Sequence, residues 1–282
     1  MSNGVIVKMN LKLTIEYDGT RYEGWQRQTK TEQTIQGKIE KVLSRMTEQD
    51  IQIDGAGRTD AGVHAKAQTA SVHLDGFWES QKVLEYLNTY LPEDIGITRI
   101  DRVSDRFHAR LWATGKCYSY RIGTDCYKSV FDRKYRYELG EKLDVEAMRR
   151  AAEDLKGVHD FRSFCGNPKF KKSTERKITG IDIIEYPHEL KIVYTGNGFL
   201  QYMVRILTGT LIEVGLHQRR SDSMPQLLAA KERKLAGVTA PAKGLSLEQV
   251  YYHNEQDRIA ERDVQNERLD KLAGGILSVN RP

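Results

Sequence analysis

The order of amphipathic segments most constrains the fold of this chain, because one order occurs twice. In the first half, stretches of alternating apolar and polar residues, typical of strands, and stretches with apolar residues at helical spacing follow one another as β-α-β-β-α-β. The predicted strands are residues 11–19, 51–57, 67–76 and 95–104, and the predicted helices are residues 31–49, capped by Thr31 or Thr34, and 80–92. This is the order of the ferredoxin-like, or split βαβ, unit.

The same order returns in the second half of the chain. The predicted strands are residues 115–124, 177–187, 190–198 and 246–254, and the predicted helices are residues 144–157 and 199–215. The sequence therefore predicts an α+β fold of two similar units, residues 1–105 and 106–252. A charge-rich tail follows at 253–282, which we expect to be a surface or dimer-contacting appendix.

The loop GAGRTDAGVHA, residues 55–65, places Arg58 and Asp60 two positions apart among small residues. Its glycines allow positive φ and the close approach of a ligand. The loop lacks both the G-K-[ST] ending of a phosphate-binding loop and the G-x-G-x-x-G pattern. An Asp60 that faces a pocket, kept ionised by Arg58, suits a nucleophile or a base. The alternative is a surface Asx-turn with a salt bridge to Arg58.

A second arginine, Arg205, lies in the apolar segment YMVRILTG of a predicted buried helix. An unpaired buried guanidinium is costly, so we expect Arg205 to point at an acid, and Asp60 is the candidate. The alternative is an arginine at a helix end that reaches solvent. His64 follows Asp60 by four residues, and we expect it to satisfy a local hydrogen bond.

The distribution of charge favours a nucleic-acid partner. Lys and Arg exceed Asp and Glu by 44 to 39, which alone is weak support. However, basic residues alternate with aromatic ones in residues 128–137 and cluster in residues 162–177, a pattern that suits phosphates and unstacked bases. Solvated loops are the alternative for each run. The residues that we expect to contact RNA are Phe107, His108, Arg110, Lys169, Lys171, Lys172 and Arg176.

Several other protein classes are not favoured by the sequence. No stretch approaches the roughly 18 apolar residues of a membrane helix, and the start of the chain lacks the pattern of a signal peptide, so we expect a cytoplasmic protein. The cysteines, Cys117, Cys126 and Cys165, form no C-x-x-C motif, and the histidines form no H-E-x-x-H motif. We therefore expect neither a disulfide framework nor a metal.

Segments along most of the chain together resemble the tRNA pseudouridine synthase A family. GAGRTDAGVHAKAQ resembles the signature loop of that family, and FHARLWATGKCYSYRI resembles its tyrosine motif. GVHDFRSFCG, GNGFLQYMVRILTGTLIEVG and GLSLEQVYY match later segments in order, from about Leu11 to Tyr252. The resemblance implies two ferredoxin-like halves that share a central antiparallel sheet, and a homodimer with basic clefts for tRNA.

The resemblance also implies an activity. Members of the family isomerise uridine to pseudouridine at positions 38, 39 and 40 of the tRNA anticodon stem-loop, without a cofactor or a metal. Asp60 corresponds to the aspartate that acts on the flipped-out nucleotide, and Tyr118 to the tyrosine that stacks on the base. The resemblance places Arg58 and Arg205 beside the aspartate, and we expect Leu245 to form a pocket wall.

Two other functions are compatible with this fold. A non-catalytic RNA-binding module could use the same sheet, but it would not need an ionised Asp60 facing RNA phosphates. An enzyme for small molecules could use the Gly-rich loop for phosphate, but Asp60 would repel that group and the basic runs would have no purpose.

Overall fold

The computed structural model describes residues 8–253, and its first half contains the six predicted elements. They are β1 (Lys8–Tyr17), α1 (Ile35–Thr47), β2 (Asp54–Gly55), β3 (His64–Asp75), α2 (Ser80–Tyr90) and β4 (Ile95–Val103). Thr34 is the N-cap of α1, and its side chain accepts a hydrogen bond from the Gly37 amide at 3.3 Å. The apolar stripe of α1 (Ile35, Ile39 and Leu43) is fully buried, as its spacing predicts.

The second half contains the predicted elements and three short ones that the sequence did not indicate. Its elements are β5 (Ala113–Gly123), β6 (Tyr137–Glu138), α3 (Val145–Glu153), β7 (Gly157–Asp160), β8 (Glu175–Tyr186), β9 (Glu189–Gly196), α4 (Met203–Gly215), α5 (Met224–Ala230) and β10 (Leu245–Tyr252). The unexpected elements are β6, β7 and α5. Their sequences are too short to show a clear period.

Within residues 8–253, ten strands form one sheet, and the two halves have the same strand order. The first half runs β4-β1-β3-β2 and the second runs β10-β5-β9-β8, with β7 added at the edge. All neighbours inside these two series are antiparallel. The predicted α+β fold with two ferredoxin-like units is therefore confirmed.

The two halves meet where β10 pairs with the start of β3. This pairing is parallel, with Ser246 opposite His64 and Leu247 opposite Ala65, and it joins two halves that are each antiparallel in the strand series just given. Farther along the same edge of β3, Asp54 pairs with Ser71 and Gly55 with Ala70. The predicted strand at residues 51–57 is therefore only two residues long, Asp54–Gly55.

The predicted tail at 253–282 lies, apart from its first residue, outside the described residues. No helix within residues 8–253 is long and apolar enough to cross a membrane.

Candidate active site

Asp60 lies in the loop between β2 and β3, and the neighbouring chain segments hold this loop in place. The carbonyl of Thr59 accepts a hydrogen bond from the Trp25 amide at 3.1 Å, and the Thr59 hydroxyl bonds the Tyr17 hydroxyl at 2.8 Å. The amide of Val63 donates to the carbonyl of Asp60 at 3.1 Å, which closes a turn directly after Asp60. The loop is therefore anchored on both sides of Asp60 rather than free at the surface.

The glycines of this loop have different roles, and only one needs a special backbone conformation. Gly62 has φ of 75°, which favours glycine. Gly55 and Gly57 do not have positive φ, so they do not use the conformational freedom that glycine allows. A Cβ on Gly55 would lie 2.4 Å from Nε1 of Trp25, and a Cβ on Gly57 would lie 2.4 Å from Nζ of Lys116. These two glycines therefore make room for neighbouring side chains.

Arg205, in the first turn of α4, pairs with Asp60 as predicted. Its Nη1 lies 3.3 Å from Oδ2 of Asp60, and its Nε donates to the carbonyl of Ala240 at 2.7 Å. The guanidinium also lies over the ring of Tyr202, 5.2 Å from the ring centroid. The side chains of Arg205 and Asp60 are only 15% and 21% exposed, so little water screens the pair. Three contacts thus fix the direction from which the positive charge meets the carboxylate.

Burial and Arg205 act in opposite directions on the Asp60 carboxyl. Burial raises the pKa of Asp60 above its ordinary value, and the charge and hydrogen bond of Arg205 lower it, with burial the larger effect. Arg58 does not take part in this balance as expected. Its side chain is exposed, and within residues 8–253 it makes no ion pair with Asp60. The prediction that Arg58 keeps Asp60 ionised is wrong, and Arg205 supplies that charge.

Replacing Arg205 with Met is expected to raise the pKa of Asp60 further, because only the effect of burial remains. The carboxyl should then keep its proton to a higher pH than in the parent protein. Titration of ¹³C-labelled aspartate side chains by NMR measures this shift. Arg58→Met is the control and should leave the Asp60 titration in place; an equal shift in both variants, or none in Arg205→Met, contradicts the assignment of the charge to Arg205.

Tyr118 lies on β5, near Asp60. It pairs in register with Tyr194 of β9 and Leu247 of β10, and its side chain is 7% exposed. The ring meets Phe199 edge-on, with centroids 5.3 Å apart. Burial raises the pKa of Tyr118 above its ordinary value, and the nearby Tyr17 and Asp60 add to the shift. The structure therefore brings the predicted pair of Asp60 and Tyr118 within electrostatic range of each other.

The other predicted residues occupy different environments. Leu245 is buried at the start of β10, so its place in a pocket wall stays a prediction. Phe107 is 1% exposed and packs edge-on against Trp112 with centroids 5.5 Å apart, so the prediction that Phe107 contacts RNA is wrong: it belongs to the core. His108 is partly exposed, with its Nε2 3.7 Å from a carboxylate oxygen of Asp54.

The two basic runs, residues 162–177 and 128–137, differ in whether their basic side chains pair with acids within residues 8–253. The side chains of Arg110, Lys169, Lys171, Lys172 and Lys177 are exposed, and that of Arg176 is partly buried; their contact with RNA stays a prediction.

In residues 128–137, by contrast, two of the four basic side chains form ion pairs within residues 8–253. Arg136 is buried and pairs with Glu138 at 3.0 Å, and Lys134 lies 3.6 Å from Asp18. This part of the RNA-binding expectation is therefore weakened.

His64 has the structural role that its sequence context suggested. It is buried, accepts a hydrogen bond from the Gly19 amide at 3.1 Å, and its Nε2 lies 3.0 Å from the carbonyl of Lys134. Its ring therefore links the turn after β1 to the segment before β6.

Lys116 is a residue of this site that the sequence reasoning missed. It lies on β5 two positions before Tyr118, and alternate residues of a strand share one face. That spacing, in a strand already singled out for its tyrosine, was the signal available in the sequence. Within residues 8–253, no group of three or more His, Cys, Asp and Glu side chains is arranged to hold a metal ion.

Comparison with known proteins relates this site to a family. A family model described as tRNA pseudouridine synthase matches residues 13–110 and 151–253. A protein of Bacillus cereus named tRNA pseudouridine synthase A 2 is 46% identical over 243 residues, which cover 86% of this chain and 99% of that protein. A protein of Clostridium tetani named tRNA pseudouridine synthase A 1 is 47% identical over 243 residues, with the same coverage. The matched ranges include Asp60 and Arg205.

Proposed function

This chain belongs to the tRNA pseudouridine synthase family, and on that premise we propose that it isomerises uridine to pseudouridine in tRNA. The proposal extends to the anticodon stem-loop, at positions 38, 39 and 40. The observation that supports it most is the partly buried Asp60 carboxylate, held by Arg205 close to the Tyr118 ring. A protein that only bound RNA would gain nothing from a carboxylate in that position.

The chemistry explains why these residue types are needed. The N1–C1′ bond of the uridine breaks, the uracil turns, C5 bonds to C1′, the proton on C5 leaves, and N1 takes up a proton. The nucleotide must first leave the base stack, at a cost of a few kcal/mol. We propose that Tyr118 offsets part of this cost by stacking on the uracil, an interaction that contributes roughly 1–3 kcal/mol. Asp60 either bonds to the sugar or removes a proton from it, and both routes need its ionised form.

The surroundings of Asp60 suit a reaction that must exclude water. Water at C1′ would hydrolyse the separated sugar and release uracil. Met203, Val204 and Ile206, which surround Arg205 in the first turn of α4, are buried, and Leu245 would close the pocket from β10. Arg58, exposed at the mouth of the loop, is proposed to contact the RNA rather than the carboxylate.

Three further features are proposed from the family. The protein would act as a homodimer in the cytoplasm, with basic clefts that bind tRNA. The two functional halves would divide near Asp105, so that the first carries Asp60 and the second carries Tyr118 and Arg205. The reaction would need no cofactor and no metal.

A tRNA transcript with tritium at C5 of its uracils tests the proposal, because each isomerisation releases tritium to water. Transcripts with cytidine in place of uridine at positions 38, 39 and 40 should release none. Transcripts with the same change outside the anticodon stem-loop should release as much as the parent tRNA. Equal release from both sets would contradict the anticodon assignment, and no release from any tRNA would contradict the activity itself.

Neutralising the exposed lysines Lys169, Lys171 and Lys172 should weaken tRNA binding and flatten its dependence on salt. Each phosphate contact that is lost should reduce the slope of log affinity against log salt by about 0.9 or less. A titration of binding against salt concentration measures the slope. The control neutralises three exposed lysines on other surfaces, Lys41, Lys82 and Lys142, and should keep the parental slope. An unchanged slope in the first variant would show that this run is a solvated loop.

A further inference from the structure

The ammonium of Lys116 lies directly over the loop that carries Asp60. It is close enough to Gly57 that a Cβ added there would lie 2.4 Å from Nζ. On β5, Lys116 is opposite Gly196 of β9, and Tyr118 is opposite Tyr194, so both side chains leave the same face of the sheet. Two strand residues span roughly 6.5–7 Å, a length comparable with one nucleotide of an unstacked strand. Lys116 is therefore placed one nucleotide step from the ring proposed to stack on the base.

Lys116 is partly buried and, unlike Arg205 and Arg121, forms no ion pair with an acid among residues 8–253. Arg205 pairs with Asp60 at 3.3 Å, and Arg121 pairs with Glu189 at 2.7 Å. Within residues 8–253, Lys116 makes neither an ion pair nor a side-chain hydrogen bond. A buried charge without a counter-charge is costly, so this arrangement destabilises the free protein.

The charged groups nearest to Lys116 are also positive. Arg110, in the segment before β5, and Arg176, on β8, both act on it, and burial together with these two charges lowers the pKa of Lys116 to about 8. Arg176 donates to the backbone carbonyl of Ser173 at 3.0 Å and has no carboxylate partner among residues 8–253. Asp60 is not among the charges that act on Lys116, and it already pairs with Arg205. Among residues 8–253, none of the three cations forms an ion pair with a carboxylate.

We propose that Lys116 binds a phosphate that flanks the target nucleotide, with Arg110 and Arg176 completing the anion site, and so positions the nucleotide over Asp60. This inference rests on the proposed function. An RNA phosphate supplies the missing negative charge. A nucleotide whose base stacks on Tyr118 has a phosphate about one nucleotide length away, which is the spacing between Tyr118 and Lys116 along β5. Lys116 is a positioning residue: it holds the backbone and takes no part in bond breaking.

The proposal predicts how RNA binding depends on pH. In the free protein part of the Lys116 population loses its proton as the pH rises through about 8, whereas a bound phosphate favours the ammonium form. Binding then takes up a proton, so affinity should fall as the pH rises from 7 to 9. Arginine side chains in general do not lose their charge over this range. Lys116→Arg keeps its positive charge at every pH, so the part of the fall in RNA affinity that is due to Lys116 should disappear in this variant. Any part of the fall that is due to Asp60 or Tyr118 would remain.

The test uses an anticodon stem-loop RNA in which a single phosphate next to the target uridine is replaced by a neutral methylphosphonate. At one of the two flanking positions the parent protein should lose about tenfold or more in affinity, as expected for a hydrogen bond between charged groups. Lys116→Met should already bind weakly and lose little more from the same replacement, and Lys116→Arg should keep the parental loss. The control Lys191→Met, which removes a lysine from the opposite face of the sheet, should behave as the parent does.

Two results would overturn the inference, and both differ from failure of the proposed function. In the first, Lys116→Met keeps the parental sensitivity to methylphosphonate at both flanking positions. In the second, Lys116→Arg keeps the parental fall in affinity between pH 7 and 9, a comparison that remains available if the Met variant does not fold. Both readouts measure binding alone, whereas failure of the proposed function appears as an absence of tritium release by the parent protein.

Discussion

Asp60→Asn is expected to form no measurable pseudouridine, while its fold and its affinity for tRNA stay close to those of the parent protein. The substitution keeps the shape of the side chain and an oxygen that can accept the hydrogen bond from Arg205, which lies 3.3 Å from the carboxylate. It removes the negative charge that both possible roles of Asp60 require, attack on the sugar and removal of a proton from it. Asp60→Ala should be equally inactive, but it also leaves Arg205 partly buried without a partner and should lower stability.

Single-turnover assays of tritium release, with tRNA binding and thermal unfolding measured on the same preparations, separate these effects. Asp60→Glu is an informative companion, because it keeps the charge and moves it by one methylene group. Turnover by Asp60→Asn that is comparable with that of the parent would exclude Asp60 as the catalytic group. A loss of activity that merely follows loss of binding would assign Asp60 to RNA recognition.

Tyr118→Phe is expected to lose about 100-fold or more in the rate of the chemical step, with binding preserved, because the reaction must remove the proton from C5. Burial raises the pKa of Tyr118, so the side chain is a neutral phenol near pH 7 and a phenolate is not the resting base. The hydroxyl can accept the C5 proton only if it passes its own proton on, and Asp60 is the nearby carboxylate. Within residues 8–253 the hydroxyl has no hydrogen-bond partner that would hold it away from the substrate.

Phe and Leu variants together separate the hydroxyl from the ring. Phe keeps the edge-on packing against Phe199, 5.3 Å between centroids, and Leu does not. If proton transfer matters, both variants are slow in single-turnover assays, and only the Leu variant also binds the substrate poorly. A Phe variant that runs at parental speed beside an inactive Leu variant would show that Tyr118 acts by stacking alone.

Much of the fold could be predicted because each element carries its own apolar period, which depends on neighbours only a few residues away. The repeated β-α-β-β-α-β order then fixed the strand order within each half. The parallel pairing of β10 with β3 could not be predicted, since it joins residues about 180 positions apart and follows from how the two halves meet.

Site residues could be predicted where a side chain differed in chemical character from its neighbours in the sequence. Arg205 is a lone cation in an apolar helix, and the cost of burying it without a partner led to Asp60. The prediction for Arg58 was wrong because two residues that are close in sequence need not be close in space. The prediction for Phe107 was wrong because an aromatic ring next to basic residues in the sequence need not be exposed. Their actual burial is set by tertiary packing, which one sequence does not contain.

The most direct test of this account is the product that the purified parent protein makes from an unmodified tRNA transcript. After digestion to nucleosides, we expect a species with the mass of uridine that separates from it on chromatography, derived from positions 38, 39 or 40 and absent from the Asp60→Asn reaction. Equal mass is required because the N1–C1′ bond is exchanged for a C5–C1′ bond with no atoms gained or lost. Free uracil in solution, or a transcript whose uridines are all unchanged, would contradict the central claim.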